Sequence, residues 1–160
     1  MGRKEMKAAK LSGTLRIART MLLLVFVFSA PLARAQEWLT DFEQARTIAA
    51  KENKEIIMVF QGSDWCSPCI KLNQEIWSSD QFKSFAKDHF VMVKVDFPRK
   101  KANALPREQQ EKNAGLAEIY NKQGFFPFVV ILDAAGNKIG ETGYKKMAPE
   151  DYIEHLLSFK

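Results

Sequence analysis

The chain has 160 residues, 46% of them hydrophobic and 27% charged. This composition is typical of one folded globular domain and excludes a disordered chain. The formal net charge of +5 comes from the N-terminal part, since residues 1–35 hold seven basic side chains and one acid, whereas residues 36–160 hold 17 basic and 18 acidic side chains. The folded part therefore has no general attraction for polyanions, which argues against nucleic acid as a partner.

Residues 1–35 have the pattern of an export signal. Basic residues precede an apolar run over residues 21–28, and Ala33 and Ala35 supply small side chains at the alternate positions that a signal peptidase needs. The run is shorter than the roughly 20 residues that span a bilayer. We expect cleavage after Ala35, leaving residues 36–160 as a single periplasmic or secreted domain without stable membrane insertion. An uncleaved anchor or a buried core helix are the alternatives left open by this pattern.

Hydrophobic periodicity predicts helices and strands in alternation along residues 36–160. Apolar residues spaced by three or four indicate amphipathic helices, and continuous β-branched runs indicate buried strands. Helices are predicted over residues 38–51, 69–77, 81–88, 107–121 and 149–157, and strands over residues 55–61, 90–96, 128–133 and 138–144. The short turn before the last strand implies a hairpin. The prediction is an α/β fold with a central mixed sheet and helices on both faces.

Local details of these elements follow from the same patterns. The first helix is expected to bury Trp38 and to begin at a cap supplied by Thr40 or Asp41. The segment over residues 97–106 is basic, bounded by prolines and expected to be a solvated loop or insertion. Docking of a partner at Arg99-Lys100-Lys101 is the alternative left open. The helix that follows is expected to pack through an inner stripe of Ala114, Ala117 and Tyr120.

Cys66 and Cys69 are the only cysteines of the chain, and they stand where a buried strand gives way to a helix. The first turn of a helix offers free backbone N–H groups and the positive end of the helix dipole, which should lower the pKa of the Cys66 thiol below about 8.5. Cys66 is thus expected to be the reachable nucleophile in disulfide exchange, and Cys69, one turn later, the shielded resolving thiol. Pro68 fixes the backbone between them, and Trp65 should shield one side.

Other uses of the two cysteines are less consistent with the sequence. A zinc site needs about four ligands, yet the chain has no further cysteine, and His89 and His155 lie far away along the sequence. No metal site is therefore expected. A structural disulfide is possible in an exported chain, but so small a loop stabilises the fold little.

The segment Trp65-Cys66-Ser67-Pro68-Cys69 after a hydrophobic strand resembles the W-C-x-x-C site of thioredoxins. Phe126-Pro127, before the next core strand, is similar to the cis-proline loop of that family. The resemblance covers about residues 38–158 and implies a thioredoxin-like fold. Gly62-Ser63-Asp64 ahead of the site is closest to the exported branch that includes soluble domains of thiol:disulfide interchange proteins.

The resemblance also implies roles for matching residues. Pro127 should be cis and lie beside the sulfurs, and Phe126 should pair its backbone with an extended substrate segment next to Trp65. Ser67 and Pro68 would support the pair. The sequence departs from the family in two ways. First, the apolar run Met58-Val59-Phe60 replaces the buried acid on the preceding strand, and the nearest acid, Asp64, is expected to be exposed. Second, the residue before the cis-proline is bulky.

These observations predict an exported thiol–disulfide oxidoreductase that needs no cofactor besides its own Cys66–Cys69 pair. Ser67-Pro68 resembles the Gly-Pro of reducing thioredoxins, which favours reduction of disulfides in exported proteins with electrons from a membrane thiol transporter. A monomer is expected. The alternative is a non-enzymatic chaperone or docking module that keeps a structural Cys66–Cys69 disulfide and binds its partners through Phe125, Phe126 and Phe128.

Overall fold

The structure, a computed structural model, describes residues 37–159. The predicted export signal and the cleavage after Ala35 lie outside this range. Along the described part of the chain, no helix combines the length and the apolar character needed to cross a membrane.

The described residues form five strands and five helices. The strands are β1 (Trp38–Leu39), β2 (Glu55–Gln61), β3 (Phe90–Asp96), β4 (Phe128–Leu132) and β5 (Lys138–Thr142). The helices are α1 (Phe42–Glu52), α2 (Ser67–Leu72), α3 (Asp80–His89), α4 (Arg107–Tyr120) and α5 (Pro149–Leu157). A π-helical turn, Asn73–Trp77, extends α2, and a short 3₁₀ turn, Lys101–Asn103, precedes α4.

The strands form one sheet in the order β1-β3-β2-β4-β5. Strands β1 and β2 both run parallel to β3, whereas β4 is antiparallel to β2 and to β5. Ile57 at the centre of β2 is in register with Met92 on one side and Ile131 on the other. The predicted mixed sheet with a terminal hairpin is confirmed.

Side-chain alternation along β2 explains why helices cover both faces of the sheet. Successive residues of a strand point to opposite faces, and here every residue from Ile56 to Phe60 is buried. Ile57 and Val59 join a core cluster with residues of α2, α3 and α5. Ile56, Met58 and Phe60 join a second cluster with residues of α1 and α4. The predicted helices on both faces are therefore confirmed.

Two local predictions are wrong. Trp38 lies in a strand, because it pairs in register with Met92 of β3, and the helix begins only after its cap at Asp41, whose side chain accepts a hydrogen bond from the Gln44 N–H at 2.9 Å. On α4, Ala114 of the predicted inner stripe is exposed and the neighbouring Asn113 is 1% exposed, whereas Ala117 and Tyr120 of that stripe pack against the second core cluster as predicted.

The buried amide of Asn113 is accommodated because both its nitrogen and its oxygen form a hydrogen bond. Its Nδ2 donates to the Asp96 carbonyl at 2.8 Å, and its Oδ1 accepts from Gln109 at 2.8 Å. Burial of a polar group without such partners is costly. Asn113 thereby holds α4 against the end of β3, next to the loop that carries the cysteines.

Candidate active site

Residues 62–69, which we call the cysteine loop, follow the carboxyl end of β2. Gly62 at its start allows the Trp65 side chain to pack closely against the backbone. The N–H groups of Trp65 and Cys66 donate to the Gly62 carbonyl at 3.3 and 2.9 Å. A Cβ atom on Gly62 would overlap the Trp65 indole. Only glycine therefore fits beneath this tryptophan, and the turn brings Trp65 back over the end of the strand.

Two aspartates tie the cysteine loop to the segment after β3. Asp96 accepts hydrogen bonds from the Ser63 N–H at 2.9 Å and from the Ser63 hydroxyl at 2.6 Å. In the other direction, Asp64 accepts from the N–H groups of Arg99 and Lys100, both at 2.9 Å. The Arg99 N–H is the main cause that holds the pKa of Asp64 below its usual value of 3.8. Ser63 and Asp64, which are consecutive in the cysteine loop, thus both hydrogen-bond to residues at or just after the end of β3.

Cys66 and Cys69 form a disulfide at the start of α2. Cys66 is the N-cap residue, and its Sγ accepts a hydrogen bond from the Cys69 N–H at 3.3 Å. Pro68 stands in the first turn, where its missing N–H costs no helical hydrogen bond. Ser67 and Pro68 are both exposed. The predicted placement of the pair at a strand-to-helix junction is confirmed.

The expected difference in exposure between the two cysteines is wrong for this oxidised state, since each is 4% exposed. The disulfide draws the Cys66 sulfur toward Cys69, and its hydrogen bond to the Cys69 N–H orients it toward the helix rather than toward solvent. In the oxidised protein the two cysteines therefore differ in hydrogen bonding but not in exposure.

Trp65 is held from three sides. Its Nε1–H donates to the Phe97 carbonyl at 2.7 Å, and its ring meets Phe126 edge to face at a centroid distance of 5.4 Å. The Arg99 guanidinium lies 3.7 Å from the centroid of the Trp65 ring, a cation–π contact. Trp65, a residue of the cysteine loop, therefore contacts both Phe126 of the cis-proline loop and the segment after β3.

The Phe126–Pro127 peptide bond is cis, as the family resemblance implies. Phe126 is half-buried between Trp65 and Phe97, with a centroid distance of 5.6 Å to Phe97. The bulky side chain before the proline thus serves as packing between the two loops. Its backbone pairing with substrate stays a prediction.

Asn121 holds the backbone of Phe125, two residues before Pro127. Its side-chain amide donates to the Phe125 carbonyl at 2.9 Å and accepts from the Phe125 N–H at 3.0 Å. With its backbone held by these two hydrogen bonds, Phe125 is 57% exposed, while Phe128 is 7% exposed and belongs to the core. Of the three phenylalanines predicted to form a docking surface, Phe125 is exposed, Phe126 is half-buried and Phe128 is buried.

The β2 residues at the positions where the family has a buried acid are apolar and uncharged. Met58, Val59 and Phe60 are 0–1% exposed, and Asp64 is half-buried with its carboxylate engaged by the segment after β3. A cavity of about 220 Å³ borders Cys69, with Gln61, Asn73 and Lys94 in its lining. Within residues 37–159, no group of three or more His, Cys, Asp or Glu side chains is arranged to hold a metal ion.

Three residues of the site escaped the sequence prediction: Asp96, Phe97 and Arg99. Each follows or ends β3, and Arg99 was expected in a solvated loop or a partner-docking cluster, not in contact with the cysteine loop. Their partners in the cysteine loop are 32 to 35 positions away. The paired appearance of Asp64 and Asp96 at the ends of two parallel neighbouring strands was the available signal, because such ends meet at one edge of a sheet.

Comparison with known proteins decides the family. The model of the family described as "Thioredoxin-like" matches residues 37–134. The chain belongs to the thioredoxin-like family. The cysteine pair is joined in a disulfide, the Phe126–Pro127 bond is cis, and Phe126 packs on Trp65 next to the pair.

Relatives of this thioredoxin-like chain include named redox proteins. It is 37% identical over 128 residues to the disulfide bond reductase DsbH of Chlamydia pneumoniae, covering 80% of this chain and 75% of the relative. A solved structure described as DsbH oxidoreductase superposes with a TM-score of 0.72 at 36% identity, over 82% of this chain and 89% of that one. The thioredoxin-related protein DsbJ of Chlamydia pneumoniae is 26% identical over 52% of this chain and 26% of its own length. The chain is thus a thioredoxin-like oxidoreductase.

Proposed function

We propose that this protein reduces disulfides in exported proteins, using Cys66 as nucleophile and Cys69 as resolving thiol. The observation that supports this most is the Cys66–Cys69 disulfide at the N-terminus of α2, beside Trp65 and the cis-proline loop. The name of the relative DsbH, a disulfide bond reductase, agrees with the direction. The basic and apolar pattern of residues 1–35 supports export to the periplasm or beyond, and we propose a monomer.

The proposed reaction moves two electrons from the protein to its substrate. The Cys66 thiolate attacks one sulfur of the substrate disulfide, so that this bond breaks, a mixed disulfide forms and the leaving thiolate takes up a proton. The Cys69 thiolate then attacks the Cys66 sulfur and releases the second substrate thiol, which is also protonated. The protein ends with the Cys66–Cys69 disulfide and must regain two electrons and two protons from a dithiol, which we assign to a membrane thiol transporter.

The start of α2 gives a physical reason for the unequal roles. Once reduced, a Cys66 thiolate at the N-cap position accepts hydrogen bonds from first-turn N–H groups such as that of Cys69, and the helix dipole stabilises its charge. Cys69 stands inside the helix beside the cavity lined by Gln61 and Lys94. Substrate would lie across Trp65, Phe126 and Pro127, with the Phe126 backbone free to pair in the manner of an added strand.

Equilibration of the mature protein in glutathione buffers tests the direction. We expect a reduction potential below about −200 mV, on the side of thioredoxin at about −270 mV rather than of DsbA at about −120 mV. A value near that of DsbA would contradict the reductase assignment. A disulfide that stays closed even in excess dithiothreitol, a much stronger reductant than glutathione, as read by mass-spectrometric thiol trapping, would instead support the non-enzymatic docking module.

Trapping variants test the roles of the two cysteines. Cys69→Ser should accumulate mixed disulfides with protein substrates, because no resolving thiol remains, whereas Cys66→Ser should accumulate few. Both variants retain one thiol, so each is the matched control for the other. Equal trapping by the two variants, read on non-reducing gels, would contradict the assignment of Cys66 as nucleophile.

A further inference from the structure

A basic cavity lies beside the candidate active site. Its volume is about 730 Å³, and it is lined by the segment after β3 and by the first half of α4. Four cationic side chains contribute to its lining: Arg99, Lys100, Lys101 and Arg107. We call these four residues the basic patch.

The basic patch keeps a surplus of positive charge. Among residues 37–159, no salt bridge involves Arg99, Lys100 or Lys101, all of which are exposed. The cavity lining also holds two carboxylates, Asp96 and Glu111, and the second of these pairs with Arg107. The Asp64 carboxylate lies against the backbone of Arg99 and Lys100, so four cations are set against three anions. A concave cationic surface of this kind attracts negatively charged groups.

The positive charge is local to this part of the domain. Residues 97–107 contain four basic side chains and no acid, whereas the rest of residues 36–160 holds 13 basic and 18 acidic side chains. The helix dipole of α4 adds partial positive charge at Arg107, where no side chain caps the helix. The basic patch is therefore a cationic surface on a domain whose remaining residues are acidic on balance.

The basic patch is held rigidly against the redox site. Arg99 stacks on Trp65 at 3.7 Å, and Trp65 is the neighbour of Cys66 in the chain. The Asp64 carboxylate fixes the backbone of Arg99 and Lys100, and it also accepts a hydrogen bond from Asn103 at 3.0 Å. A group bound at the patch is thereby placed in a fixed relation to the disulfide.

We propose that the basic patch binds acidic side chains that flank the reactive cysteine of a protein substrate. This inference rests on the proposed function, because a substrate segment that brings a sulfur to Cys66 must pass near Trp65 and hence near Arg99. Each residue of an extended segment advances at most about 3.6 Å, so carboxylates within a few positions of the cysteine come within reach. Guanidinium and ammonium groups bind carboxylates through charge-assisted hydrogen bonds.

Peptides of opposite charge provide the test. A cysteine flanked by glutamates, the same cysteine flanked by lysines, and a glutamine version are each capped as mixed disulfides with 2-mercaptoethanol, which is uncharged. The pre-reduced full-length mature protein is mixed with each peptide, and release of the peptide thiol is followed by mass spectrometry. We expect the glutamate peptide to react about tenfold or more faster than the lysine peptide at low ionic strength. The difference should vanish in about 1 M salt, where the Debye length is roughly 3 Å.

Matched variants locate the preference. Lys100→Gln/Lys101→Gln removes two exposed charges of the patch, and we expect the ratio of glutamate to lysine peptide rates to fall by several-fold. Lys51→Gln/Lys87→Gln removes two equally exposed charges near the opposite end of β2 and β3 and should leave the ratio unchanged. Equal loss in both doubles would mean that only net charge matters, which would overturn the proposal.

Failure of this inference is distinguishable from failure of the proposed function. Reduction of 2-hydroxyethyl disulfide, a neutral small molecule, by the pre-reduced protein tests the chemistry alone. If that reaction proceeds while the three peptides react at the same rate, the basic patch does not select substrates and the inference is overturned. If the protein reduces neither the small disulfide nor any peptide, both the proposed function and the inference built on it are overturned.

Discussion

Asp64 stands one residue before Trp65, yet its carboxylate serves the neighbouring loop rather than the cysteines. It accepts hydrogen bonds from two backbone N–H groups and from the Asn103 side chain. A carboxylate committed to three donors is poorly placed to move a proton to or from Cys69. The acid that is nearest in sequence therefore has a structural role, and the proton of the resolving thiol must be exchanged by another route.

Asp64→Ala should loosen the segment after β3 without removing the disulfide. The N–H groups of Arg99 and Lys100 lose their acceptor, so we expect their hydrogen exchange to accelerate by roughly tenfold or more. Nuclear magnetic resonance measures this exchange residue by residue. Asp88→Ala, at an exposed position on α3, is the matched control and should leave both amides unchanged. Unchanged exchange in Asp64→Ala would contradict the anchoring role.

Residue-level prediction from the sequence succeeded where the signal was local. The cysteine pair, Trp65 and the cis-proline form short motifs, and their placement follows from the strands beside them. Arg99 was missed because its contact with Trp65 joins residues 34 positions apart and depends on the path of the loop. Buried Asn113 was missed for the same reason, since its partner is a backbone carbonyl 17 positions away.

Helix α3 shows how a single cap defines an element. The Ser79 hydroxyl accepts a hydrogen bond from the Phe82 N–H at 3.2 Å and donates to the Ile76 carbonyl at 2.7 Å. It thereby joins the end of the π-helical turn to the start of α3. The sequence predicted separate helices over residues 69–77 and 81–88, and the observed second helix starts at Asp80.

Ser79→Ala should destabilise the fold by about 1 kcal/mol, the usual cost of losing an N-cap side chain. Urea denaturation of the oxidised protein measures the free energy of unfolding. Ser84→Ala lies on an exposed position inside the same helix, where alanine is the better helix former, and should be neutral or slightly stabilising. Equal effects of the two substitutions would contradict the capping role of Ser79.

Elements with strong periodicity were predicted to within a few residues, whereas weak ones were not. Strand β3 has the predicted bounds because it is a continuous buried run. Strand β1 has only two residues and exists because Trp38 and Leu39 pair with β3, a partner that no local pattern reveals. The π-helical turn at Asn73–Trp77 was likewise invisible, since its apolar spacing is also that of an α-helix.

The whole molecule should lose stability in acid through carboxylates that the fold keeps ionised. The pKa values of Asp41, Asp64 and Asp133 lie below their usual 3.8, chiefly because each carboxylate accepts hydrogen bonds. The main donors are the Gln44 N–H, the Arg99 N–H and the Asn137 side-chain amide, respectively. The folded state therefore holds these protons more weakly than the unfolded state does.

Because these pKa values are lower in the folded state, the free energy of unfolding must fall at acidic pH. The three carboxylates contribute stability above about pH 4 that is lost as the pH falls through the unfolded value of 3.8 toward the lower folded values. We expect the urea midpoint to fall between about pH 5 and pH 3. Asp133→Asn removes one of these groups, so its midpoint should decline less over the same range. A midpoint that is constant across this range would refute the expectation.

The reciprocal anchors at Asp64 and Asp96 make the redox site a composite of two chain segments. Residues 62–69 supply the chemistry, but their shape depends on residues 96–103, which supply an acceptor for Ser63 and donors for Asp64. A protein engineer who transplants this site into another scaffold must therefore move both segments together, with the spacing between their parent strands preserved. Conversely, the stretch between Asn103 and the start of α4 carries none of these anchors, which makes it the place where length can vary while the site keeps its geometry.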